Sequence, residues 1–209
     1  ELLSFVVLYK LADNLAGALV RPFLVQVGFN DFDVGVATAT IGLAATLSGT
    51  FLGGMLTTSM GLGNALWLFG SLQILSNFGY ILIAEVGVNR LLMYGAMGFE
   101  SFTTGMGTGA FSVLLLRMTQ KRFSATQYAL FSSLFALTRI LAGPIAGVTV
   151  DAVGWSKFFW ITIAVGIPGM IMLQRFAPLG TREPQIELLA ETDPVPITRK
   201  GLVARAMAG

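Results

Sequence analysis

Four ionisable side chains fall inside long apolar stretches, Asp13, Glu100 and Arg139 near the middle of theirs and Lys10 nearer the cytoplasmic end of its own. A charge held at the middle of a bilayer costs several kcal/mol or more, so each marks a candidate functional site. Asp13 lies about 10 residues into its stretch, roughly 15 Å at 1.5 Å per residue and close to the middle of a hydrocarbon core about 30 Å thick. Lys10, Asp13, Asn14, Gly17 and Arg21 stand at offsets 0, 3, 4, 7 and 11, on one helical face. That face suits a hydrated path with Asp13 as a proton carrier. A plainer reading makes Lys10 and Asp13 an i, i+3 pair that neutralises both.

The second constellation is Glu100, Thr103, Thr104, Gly107 and Thr108 at offsets 0, 3, 4, 7 and 8, a polar stripe with a carboxyl at mid-span. Glu100 is the other candidate proton carrier, and a structural Glu bonded to a neighbouring helix is the plainer alternative. Beside the stripe, Ser101, Gly105 and Gly109 form a small-residue ridge that permits close helix contact. The third face carries Tyr128, Phe131, Ser132, Phe135 and Arg139. Arg139 keeps its charge at any ordinary pH and needs a counter-anion, from Glu100, Asp13 or a substrate carboxylate. The candidate cavity residues are thus Lys10, Asn14, Arg21, Thr103, Thr104, Thr108, Tyr128 and Arg139, while Phe131 and Phe135 read first as packing.

The elements that position these groups follow from hydropathy. Of 209 residues, 55% are hydrophobic and 11% charged, with mean hydropathy +0.76, against about a quarter charged in a soluble domain. Six spans are expected near 3–27, 33–57, 64–84, 90–116, 124–150 and 157–176, joined by short turns, which makes the fold an all-α polytopic transmembrane bundle. Glycines and threonines along the second span (Gly35, Thr38, Gly42, Thr46, Gly49, Gly53) read as tight packing. Gln73, Asn77 and Tyr80 on the third read as interhelical hydrogen bonds. The sixth span is almost wholly apolar, with Trp155 and Trp160 as interface anchors, and is expected to face lipid. Gly143-Pro144 is expected to break the helix ladder of the fifth span.

With neither Cys nor His in the chain, thiolate chemistry, His-based metal sites and Ser-His or Cys-His catalysis are excluded within it, and no cofactor or metal is expected. Six spans put both ends on one side. There lie Arg117, Lys121, Arg122, Arg175 and Arg182, against only Arg90 and Lys157 opposite, which predicts cytoplasmic termini. Residues 177–209, polar and Pro-containing, read as a disordered cytoplasmic tail, and their basic residues suit a membrane surface rather than nucleic acid. Glu1 at the lip of an apolar stretch, with no cleavage pattern after it, reads as the start of a fragment of a longer protein without a signal peptide.

Tyr9-Lys10-Leu11-Ala12-Asp13, Ala65-Leu66-Trp67-Leu68-Phe69-Gly70, the run from Phe99 to Thr108 and Phe123-Ser124-Ala125-Thr126-Gln127 resemble the AmpG-type muropeptide permeases of the major facilitator superfamily, in their C-terminal six helices. The resemblance covers about residues 5–176. It implies proton symport of anhydro-muropeptides (GlcNAc-anhydro-MurNAc with or without peptide) across the bacterial inner membrane for cell-wall recycling. It also implies a missing N-terminal six-helix half, with spans 1 and 4 lining the cavity, 2 and 5 flanking it, and 3 and 6 facing outward. The loop after the second span keeps Gly54 and Gly61 of the superfamily pattern. Thr58, Ser59, Leu62 and Gly63 replace its charged positions, leaving a tight turn.

Other readings share some of these features. Another permease of the superfamily, acetyl-CoA-type or drug efflux, would keep the fold and change the cavity chemistry. An intramembrane enzyme would need facing reactive groups, for which Asp13 with Glu100 is the sole candidate pair. A non-transporting scaffold leaves three costly charged faces without a purpose. The expected partners are therefore membrane lipid, the other half, an amino-sugar-peptide substrate and protons.

Overall fold

The computed structural model describes residues 2–117 and 124–184, with the side chains of residues 2–7, 115–117, 124–128, 131, 134, 135 and 176 outside that description. Within it are six helices: α1 (Leu2–Val27), α2 (Asp31–Met60), α3 (Leu62–Val86), α4 (Arg90–Arg117), α5 (Ser124–Val153) and α6 (Trp155–Phe176). Sequence chemistry sets their ends. Asn30 caps α2 by accepting from the Phe32 amide at 3.0 Å, and Asp31 and Asp33 complement the positive end of the helix. Asn89 Oδ1 accepts from Leu92 N at 3.1 Å at the start of α4. Gly61, at φ 87°, makes the reversal from α2 into α3 in a conformation that other residues rarely adopt.

Among the described residues, four helices hold stretches long and apolar enough to cross a membrane: α2, α3, α5 from Ala136 onward and α6. The other two, α1 and α4, are the ones that carry Lys10, Asp13, Arg21 and Glu100. The packing has internal symmetry. α1 packs mainly on α5 and α6, α4 packs mainly on α2 and α3, and α3 meets α6 between them. Exchanging each helix for the one three places along reproduces the same pairings. Three is odd and successive helices alternate in direction, so the two triplets are inverted repeats, and their first helices bring mid-helix carboxyls, Asp13 and Glu100, to one place.

Lipid tails are as apolar as leucine, so close packing through small residues holds such helices together. On α2, a Cβ at Gly49 would collide with the Phe102 backbone, and one at Gly53 would lie 2.6 Å from Met106 Cα. On α4, a Cβ at Gly105 would meet the Thr46 carbonyl. Thr46 and Thr50 hydroxyls donate across this seam to the Ser101 and Gly105 carbonyls, both at 3.4 Å. The expected ridges hold only in part, because a Cβ would meet open space at Gly35 and Gly109. One π-helical turn, Thr38–Gly42, follows Gly35 within the α2 stripe. Its wider winding rotates the earlier residues away from the α4 seam.

The structure corrects two expectations. The sixth helix is not simply a lipid-facing span: Phe158, Phe159, Thr162 and Leu173 are buried, Gly166 makes room for Ile74 of α3, and Gly169 lets α1 approach so closely that a Cβ there would lie 2.8 Å from Tyr9 Cα. α5 continues as one helix past Pro144, so the expected loss of one amide donor there does not end it. Beyond α6 the chain stays on the bundle through residue 184. The Ala177 carbonyl accepts from Trp67 Nε1 at 2.7 Å, and the Arg182 carbonyl accepts from Gly63 N at 3.0 Å. The expectation of disorder from residue 185 onward falls outside the described residues.

Gly105→Leu and Gly49→Leu in the full-length protein are expected to destabilise the bundle by about 2 kcal/mol or more, since the opposing atoms are backbone and cannot turn aside. Gly54→Leu, on α2 but with open space beside it, is the matched control. Thermal denaturation in detergent checks this, and equal midpoints for all three would remove the seam from the account.

Candidate functional site

Most hydroxyls in these helices are satisfied by their own backbone, as the apolar surroundings require. On α4, Thr103 donates to the Glu100 carbonyl at 3.0 Å, Thr108 to the Thr104 carbonyl at 2.7 Å, and Ser112 to the Thr108 carbonyl at 2.9 Å. Thr104 is different. Its hydroxyl faces Asp13 Oδ1 at 3.4 Å and Glu100 Oε1 at 3.3 Å, so a carboxyl from each repeat meets at one side chain.

Around that point the groups are layered. Lys10 Nζ donates to Asp13 Oδ2 at 3.0 Å, with the lysine side chain 2% exposed and the aspartate 18%. Gln73 Nε2, from α3, reaches the same Asp13 oxygen at 3.4 Å, over Gly107, where a Cβ would lie 2.9 Å from that nitrogen. Ser101 Oγ lies 3.5 Å from Glu100 Oε2. Behind Asp13, between α1, α3 and α6, a cavity of about 10 Å³ is lined by Tyr9, Gln73, Asn77 and Asp13 among others, close to the room one water needs. Tyr9 is fixed there by donating to the Leu66 carbonyl at 2.7 Å.

The other candidates lie elsewhere. Arg21 is exposed and pairs with Asp31 at 3.6 Å, at the end of the bundle where Arg90 binds Asp33 at 2.7 Å, so the α1 face that begins at Lys10 runs out of the cluster before it reaches Arg21. Thr103 is fully buried and Thr108 exposed. Asn14 has a buried Nδ2 with no hydrogen-bond partner. Arg139 is exposed and lies in no ion pair with Glu100 or Asp13, so those carboxylates are not its counter-anions. The side chain of Tyr128 is outside the described residues. Sequence spacing underrated two groups. Gln73 serves Asp13 specifically, and Tyr80, fully buried, turns its hydroxyl toward Glu100 without making a hydrogen bond. Both sit on the α3 face that mixes polar with buried apolar residues, and the one available signal was their shared spacing.

Beside this geometry, sequence comparison finds named membrane proteins similar to the chain. The anhydromuropeptide permease of Escherichia coli K12 is 44% identical over 173 residues, which is 82% of this chain and 35% of that protein. Over this stretch the chain is similar to AmpG-type permeases. A putative AmpG transporter of Rickettsia prowazekii is 33% identical over 172 residues, 82% of this chain and 39% of that protein. An uncharacterised protein of Haemophilus influenzae is 33% identical over 184 residues, 85% and 43% respectively. The chain thus spans well under half the length of the relatives it matches. No family model matches it.

Lys10→Met would leave Asp13 an uncompensated charge inside the bundle, with an expected cost of about 3–5 kcal/mol. Removing both charges with Asp13→Asn should restore most of that stability, because two neutral groups need no counter-ion. Denaturation midpoints of the two single variants and the double variant measure this coupling. Additive losses would show that the two side chains do not act as a pair.

Proposed function

We propose that this chain is the C-terminal half of a proton-coupled importer of anhydro-muropeptides, GlcNAc-anhydro-MurNAc with or without peptide, acting in the bacterial inner membrane with both ends of the segment cytoplasmic. The observation that carries the reading is the meeting of Asp13 and Glu100 at Thr104, in a segment 44% identical to a permease bearing that substrate's name. Two half-buried carboxyls beside a buried lysine make a site whose charge changes with one proton. Such a site can couple proton movement to alternating access when the two repeats rock around it.

The substrate is an amino sugar with carboxylates, and Arg139, charged and exposed on α5, supplies a cation that Asp13 and Glu100 leave unpaired. The N-terminal half would complete the cavity, and lipid would cover the outer apolar surface. The cytoplasmic side follows from the basic residues around the termini. The reading calls for no metal, cofactor or nucleic acid.

In vesicles holding the full-length protein, uptake of labelled GlcNAc-anhydro-MurNAc should rise with an imposed inward proton gradient and collapse with a protonophore. Gradient-independent uptake would refute the symport reading. Arg139→Gln should reduce uptake by roughly tenfold or more, the scale of one lost hydrogen bond to a charged group. Orientation has its own test, because this segment has no cysteine. With any cysteines elsewhere in the protein replaced, a thiol reagent confined to the periplasm should label Gly87→Cys and spare Gly180→Cys.

A further inference from the structure

The two carboxyls of the cluster are held differently. Asp13 has a cation at 3.0 Å and the Gln73 amide besides. Among the described residues, the side chains at hydrogen-bond distance from Glu100 are hydroxyls, Thr104 at 3.3 Å and Ser101 at 3.5 Å. Among the described residues, the groups facing Glu100 include no second cation to offset it. α1 brings Lys10 and Asp13, and α3 brings Tyr80 and Gln73. The two carboxylates of α2, Asp31 and Asp33, are engaged with Arg21 and Arg90 at the end of the bundle. On α5, Arg139 is not paired with Glu100, and the basic residues of α6, Lys157 and Arg175, sit near its ends. With Asp13 ionised against Lys10 the cluster is neutral only when Glu100 carries a proton.

The hydrogen bonds make the same demand. Thr104 has one hydroxyl proton and faces two carboxyls, both at distances long for an O–H donor. One proton on Glu100 resolves this. Glu100 O–H donates to Thr104 Oγ1, and Thr104 O–H donates to Asp13. Across the cluster, the Tyr80 hydroxyl is buried beside Glu100 with no hydrogen-bond partner, and leaving such a donor unused in an apolar interior costs about 1–3 kcal/mol.

We propose that Glu100 is the one group of the cluster that gains and loses a proton, that Lys10 keeps Asp13 a fixed carboxylate, and that Tyr80 is a positioning residue whose hydroxyl receives the Glu100 carboxylate once the proton has left. The inference rests on the transporter reading above and names its proton-exchanging group. In the step, the Glu100 O–H bond breaks and the proton passes to water at the side of Glu100 that the packing leaves partly exposed. The new carboxylate then accepts from Tyr80 O–H, and Thr104 stays with Asp13. The charge of the cluster changes by one, and the side-chain shift from Thr104 toward Tyr80 ties it to the packing between α4 and α3.

The test needs no substrate. Infrared spectra of the full-length protein in lipid bilayers, taken across pH, report the carbonyl stretch of protonated carboxylic acids. One component should vanish in Glu100→Gln and persist in the Lys10→Met/Asp13→Asn double variant, which leaves no lone charge to unfold the bundle. No lost component in Glu100→Gln, or loss of that component in the double variant, overturns the assignment. Tyr80→Phe should keep the component and move the pH at which it disappears upward by about one unit, the effect of one lost hydrogen bond to a charged group. An unmoved profile overturns the role of Tyr80. If the infrared assignment holds while labelled uptake ignores a proton gradient, the transport reading fails and the assignment of Glu100 stands.

Discussion

Inside a bilayer a charge has no water to lean on, and the Lys10–Asp13 pair is where this chain meets that constraint. With the lysine 2% exposed, the pair can persist only if the rest of the bundle closes around it in a fixed geometry. Tyr9 is pinned to the Leu66 carbonyl on one side, and Gln73 crosses from α3 on the other. Breaking such a pair is far costlier than never having made it, so the surrounding packing is committed to the arrangement that keeps it whole.

That commitment is met by residues with nothing to contribute but absence of bulk. Gly107 leaves room for Gln73, Gly169 lets α6 approach Tyr9, and Gly49, Gly53 and Gly105 bring α2 and α4 to backbone contact. The hydroxyls that would otherwise be unpaired in an apolar medium are folded back onto their own helices. Thr104 instead faces two carboxyls, and it stands where the two inverted triplets meet. The symmetry explains the proximity of the carboxyls: each occupies the middle of the first helix of its triplet, and the exchange of triplets carries one of these positions onto the other.

Much of the fold was legible in the amino-acid pattern. Apolar runs punctuated by Gly28, Gly61, Gly87 and Gly154 locate the helices to within a few residues, because in a medium without water the backbone must satisfy itself inside each span. The Lys10–Asp13 pair was legible too, being local to one helix turn. Less was legible at α6, where a wholly apolar sequence looks the same whether it meets lipid or another helix. At Gly35 a single π-helical turn broke a periodicity that the residue pattern continues without interruption.

The sequence by itself determined six helices and which positions carry charge, since hydropathy and i, i+3 or i, i+4 spacing are properties of one segment at a time. Only the tertiary structure decided which charges meet. Arg139 is as central in its helix as Glu100 yet stays apart from both carboxyls, while Glu100 and Asp13, 87 positions apart along the chain, converge on one hydroxyl. Spacing along a helix fixes the face a residue occupies. What that face looks at depends on the crossing of helices distant in the chain, and that is set by the small-residue contacts among all six.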